Sequence, residues 1–66
     1  MNKQPDFIKL TISKSLKPVY VEVSHIAALF SGGTYTDVYL TGDSEPISVL
    51  DSPEHIMKLL HYEAED

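Results

Sequence analysis

The stretch Ile47-Ser48-Val49-Leu50-Asp51-Ser52-Pro53-Glu54-His55-Ile56-Met57-Lys58-Leu59-Leu60 contains the change of period on which the fold turns. Ile47-Ser48-Val49 alternates apolar and polar side chains, the period of a short, half-buried strand. Ser52-Pro53-Glu54 then reads as N-cap, N1 and N2 of a helix. The Ser hydroxyl accepts a backbone N–H, the Pro ring presets φ, and the Glu complements the positive end of the helix dipole. Asp51 is a second candidate cap. Ile56, Leu59 and Leu60 recur at helical spacing with Met57 beside them, which predicts a helix from Pro53 to about Glu63. Glu63, Glu65 and Asp66 oppose the dipole at its far end and should fray it.

Upstream of this segment the chain reads as strand throughout. In Phe7-Ile8-Lys9-Leu10-Thr11-Ile12-Ser13 the residues Ile8, Leu10 and Ile12 fall on one face, and Phe7, Lys9 and Thr11 on the other. Lys14-Ser15-Leu16-Lys17-Pro18 is a turn. Val19-Tyr20-Val21-Glu22-Val23 is a second strand with its valines on one face. Ser24-His25 is a short bend. Ile26-Ala27-Ala28-Leu29-Phe30 is too short for a stable helix before Ser31-Gly32-Gly33-Thr34, so it reads as a third strand. The Gly pair is expected to supply the positive φ angles of a tight hairpin. Tyr35-Thr36-Asp37-Val38-Tyr39-Leu40 is the fourth strand, and Thr41 to Pro46 is a polar turn before the fifth.

The expected fold class is therefore α+β, mainly β: five short antiparallel strands in meander order, as an open sheet or small barrel, with one C-terminal helix on one face. Residues 1–6 are expected as a polar, flexible tail and residues 7–66 as a single domain. The core face should carry Ile8, Leu10, Ile12, Val19, Val21, Val23, Ile26, Val38, Leu40, Ile47 and Val49. Phe7, Tyr20, Tyr35 and Tyr39 all oppose that face. One helix covers one side of a sheet, so these four rings are the candidate interface with a protein partner or a second copy. Lys9 and Pro18 look like edge-blunting devices, whereas the fourth strand is little protected if it lies at an edge.

Composition narrows the function. With 66 residues there is room for one domain, and a domain so small buries only about 60% of the surface its unfolded chain exposes. There is no Cys, which removes disulfides and thiolate metal sites. Small domains without such staples gain stability by oligomerising, and a homo-oligomer is expected. The net charge is −5, with no Arg and no Trp. Residues 1–17 hold four Lys against Asp6, net +3, and residues 18–66 hold Lys58 against nine acids, net −8. Nucleic acid is not an expected partner of so acidic a chain. No apolar run spans a bilayer and the first residues lack the apolar stretch of a signal peptide, so a cytoplasmic location without membrane insertion is expected.

No catalytic residue, cofactor, metal or small-molecule substrate is evident. His55 and His61 lie six residues apart on the helix, and a zinc site wants at least three protein ligands. Ser24-His25 has neither a strained elbow nor oxyanion donors beside it. Ser31-Gly32-Gly33-Thr34 lacks the Lys and the following helix of a phosphate loop.

From Phe7 onward the pattern resembles the short flagellar/swarming-motility family of FlbD or SwrD type. The matching residues are Ile8-Lys9-Leu10-Thr11, Val19-Tyr20-Val21, Ile26, Asp37-Val38-Tyr39-Leu40-Thr41-Gly42, Ile47-Ser48-Val49 and Glu54-His55-Ile56. The resemblance covers residues 7–62 and rests mostly on hydrophobic spacing. It implies a small non-enzymatic factor acting on other proteins and carries over no catalytic residue. The carbon storage regulator family is similar in length and element count, but its RNA binding uses Arg. The expected function is a small non-enzymatic interaction or regulatory module, motility-related by resemblance, that self-associates or docks on a protein partner. The alternative is a small regulator of gene expression, binding nucleic acid or acting as an acidic decoy for a DNA-binding protein.

Overall fold

A computed structural model describes residues 5–61, with His61 described by its backbone alone. The start of the expected tail, and the expected helix end at Glu63 with the acids beyond it, lie outside the described residues. In chain order the elements are β1 (Phe7–Thr11), β2 (Pro18–Glu22), a 3₁₀ turn (Val23–His25), β3 (Ile26–Ser31), β4 (Thr36–Leu40), β5 (Ile47–Val49) and α1 (Pro53–His61). The α+β class, mainly β with one C-terminal helix, is the observed one.

The strands do not form one sheet. β1 and β2 make a two-stranded antiparallel sheet, and β3, β4 and β5 make a three-stranded one in the order β3-β4-β5. Both are open, which removes the small-barrel alternative. The division falls at Val23–His25, where a 3₁₀ turn ends β2 and redirects the chain into β3. The two sheets touch through an isolated bridge between Ile12 and Val49. Ser13 N–H donates to the Ser48 carbonyl and Leu50 N–H to the Thr11 carbonyl, each at 2.9 Å, on either side of it. β4 lies between β3 and β5, so the little-protected fourth strand is not at an edge. The outer strands are β2 and β3. Pro18 does open an outer strand, while Lys9 lies on β1, paired with Tyr20 of β2.

The core lies between the two sheets and the helix. Ile8, Leu10 and Val21 enter it from the first sheet, Val38 and Val49 from the second, and Ile56 and Leu60 from α1. Val19, Val23, Ile26, Leu29, Leu40, Ile47 and Leu59 surround them. The period-two face read from the sequence is thus the buried face, but it is folded in two across the Ile12–Val49 junction. Ser52 caps the helix as expected: its hydroxyl accepts the His55 N–H at 3.1 Å, and its carbonyl accepts the first helical bond, from Ile56 N–H at 2.9 Å.

Two turns depart from the expected chemistry. In the β1–β2 hairpin, Ile12 N–H donates to the Lys17 carbonyl and Leu16 N–H to the Ile12 carbonyl. Leu16 takes φ +63° to close it, in the left-handed region that bulky L residues rarely occupy. In the β3–β4 hairpin only Gly33 has a positive φ, +95°. Gly32 serves instead as an opening for the Tyr35 ring, which a Cβ at position 32 would strike. β3 also carries a bulge: Ile26 pairs with Leu40 and Ala28 with Tyr39, leaving Ala27 as the extra residue.

Candidate functional site

The four rings expected on one face are divided between the two sheets. Phe7 and Tyr20 stand on the outer face of β1–β2, where Phe7 pairs with Glu22 and Tyr20 with Lys9. They are diagonal neighbours across the ladder, 55% and 63% exposed. Tyr39 stands on the outer face of β4, pairs with Ala28, and is half-buried. Its neighbour is Phe30, with ring centroids 5.5 Å apart and planes at 74°, an edge-to-face contact. Tyr35 precedes β4 and lies against Gly32, so its ring belongs to the hairpin tip rather than to either sheet face.

Phe30, at the end of the expected third strand, joins Tyr39 on an outer face that the sequence pattern does not assign to it. It is 59% exposed, close to Tyr20 in that respect. Counting by twos from the core residue Ile26 puts Ala28 and Phe30 inward. The bulge at Ala27 shifts the alternation by one, so Leu29 turns inward and Phe30 outward. The signal that finds it is the register with β4: Phe30 pairs with Asp37, an outward residue of that strand.

Asp51, read as a second candidate cap, does something else. Its Oδ1 accepts the Thr11 N–H at 2.8 Å, and its backbone carbonyl accepts the hydroxyl of the fully buried Thr36 at 2.7 Å. One residue therefore ties β1, β4 and the start of α1 together. Its Oδ2 also lies 3.8 Å from His55 Nε2. His25 ends the 3₁₀ turn with Nδ1 3.4 Å from Glu22 Oε1, and both side chains are well exposed. Among the described residues no three His, Asp or Glu side chains gather as metal ligands would.

Grooves run along both sides of α1. One, of about 450 Å³, lies against β1 and includes Phe7, Lys9, His55 and Leu59. The other, of about 460 Å³, lies against β3 and includes Ala27, Leu29, Pro53 and Met57. The second has no charged residue in its lining. No described helix is long and apolar enough to cross a membrane. Compared with known proteins, the chain matches no family model, no curated protein and no solved structure.

Proposed function

We propose that this protein is a small non-enzymatic interaction module that acts by contact with other protein surfaces, first of all with a second copy of itself. The observation that carries the reading is the placement of large apolar side chains. Phe7 and Tyr20 on one outer sheet face and Phe30 on the other are more than half exposed, in a chain whose described core has seven buried apolar residues. Aromatic side chains offer large contact area at low entropic cost, which is why they concentrate at interface centres. The acidic balance argues against a nucleic-acid partner, since phosphate recognition draws on Lys and Arg. A cytoplasmic setting suits a chain without Cys, and the resemblance to short motility proteins suggests a motility-related context.

Tyr20→Ser combined with Tyr39→Ser tests the reading. Neither side chain is in the buried core, so circular dichroism should keep its native form while sedimentation shows weakened association. A double variant that sediments as the wild type does would contradict the aromatic contact surface.

A further inference from the structure

We propose that the free edge of β3 pairs with the β3 edge of a second copy of this chain, antiparallel and centred on Leu29, joining two three-stranded sheets into one of six strands. The inference rests on the self-association reading above and adds a backbone contact at the sheet edge to the aromatic faces.

The two outer strands differ in protection. β2 opens with Pro18 behind Lys17 and closes with Glu22, and charge and proline are what edge strands use against unwanted pairing. β3 is Ile26-Ala27-Ala28-Leu29-Phe30-Ser31, without charge or proline. Its backbone orientation follows from the hairpin. Gly32 N–H donates to the Tyr35 carbonyl at 2.8 Å, which makes 32 and 35 a hydrogen-bonded pair. Antiparallel ladders alternate, so Phe30 with Asp37 and Ala28 with Tyr39 are bonded pairs as well. Leu29 and Ser31 then turn their N–H and C=O groups away from β4. Among the described residues no backbone group pairs with these outward ones.

Sequence and symmetry together set the register. A two-fold axis perpendicular to the sheet keeps outer faces outward, so residues facing each other must share a face. Centring on Leu29 meets that condition. Leu29 exchanges both its bonds with Leu29 of the second copy, and Ala27 lies opposite Ser31. Ala28 faces Phe30, a small side chain beside a large one on the outer surface. Further out, Ile26 and His25 meet the Gly32-Gly33 turn, so no carboxylate faces another. That matters where each copy carries a net charge of −5. Centring on Phe30 instead sets two Phe rings directly opposite each other and leaves Ala28 across from Gly32. The bulge at Ala27 twists the start of the strand and confines the pairing to Ala27–Ser31.

The uncharged groove between β3 and α1 adds to the case. A strand laid along β3 extends the roof of this groove and covers Met57, which is otherwise substantially exposed. The edge is neutral, as the edge it meets must be, and its small and large outward residues complement each other under a two-fold. Those properties favour a second copy over a strand of different sequence.

Amide hydrogen exchange on the full chain, followed residue by residue over a concentration series, tests the pairing. The Leu29 and Ser31 amides should be protected in the concentrated sample and lose that protection on dilution. Those of Ala28 and Phe30 should stay protected throughout. Ser31→Pro removes an outward N–H while sparing the ladder to β4, and should weaken association without unfolding the chain. Free exchange at Leu29 and Ser31 in a sample that sediments as a dimer would overturn the β3 pairing and leave association through the aromatic faces standing. A monomer at every concentration would overturn the pairing and self-association together, leaving docking on a different protein. If Ser31→Pro fails to fold, the wild-type exchange pattern decides alone.

Discussion

Leu16 closes the first hairpin at φ +63° with its side chain 66% exposed, so no burial offsets the conformation. A left-handed L residue costs about 1–2 kcal/mol. Leu16→Gly relieves that cost but adds freedom to the unfolded chain, so the expected net gain is about 1 kcal/mol or less. In a domain of this size that raises the melting temperature by a few degrees, about 4–8 °C for each kcal/mol. A lowered melting temperature would show that Leu16 makes contacts the turn depends on. Asp51 is the opposite kind of residue: its carboxylate holds the Thr11 N–H and its backbone carbonyl the Thr36 hydroxyl, at the point where the sheets and helix converge. Asp51→Ala removes the acceptor of the Thr11 N–H and is expected to cost about 1–3 kcal/mol. Asp51→Asn keeps a side-chain oxygen and should cost less. Equal melting temperatures for the two variants would contradict that assignment.

At the level of elements, local signals were legible in the sequence and corners were not. The strand faces follow from strict alternation, and the core residues Ile8, Leu10, Val21, Val38 and Val49 were all on the face it indicated. The helix was legible from Ser52-Pro53-Glu54 and from the spacing of Ile56 and Leu60. The division into two sheets was not, because it depends on one 3₁₀ turn, Val23–His25, too short to have a period. The candidate site was partly legible for the same reason. Phe7, Tyr20 and Tyr39 point outward as alternation requires. Tyr35 lies beyond its strand and leans on Gly32, and Phe30 is turned outward by a one-residue bulge that alternation does not signal. The helix is the element that closes the core of both sheets. Ile56→Ala leaves a cavity at their meeting point and is expected to cost about 2–5 kcal/mol. A single core of this size rarely supplies more than about 3–5 kcal/mol, so the variant should be largely unfolded by circular dichroism at room temperature. A cooperative, native-like melt would mean that α1 contributes little to the fold.

At the scale of the whole molecule, a thin core and a large apolar exterior go together. Two copies that each carry −5 repel at long range, so the proposed pairing is favoured at a strand without charge, as β3 is. Salt screens that repulsion, and association should tighten as ionic strength rises. Phosphate binding by basic residues gives the reverse slope. The most direct measurement is sedimentation equilibrium of the wild-type chain over a wide concentration range, at low and at high salt. The predicted result is a mass that climbs from 7.4 kDa toward twice that value, and does so at lower concentration in high salt. A mass that stays at 7.4 kDa under both conditions would contradict the account.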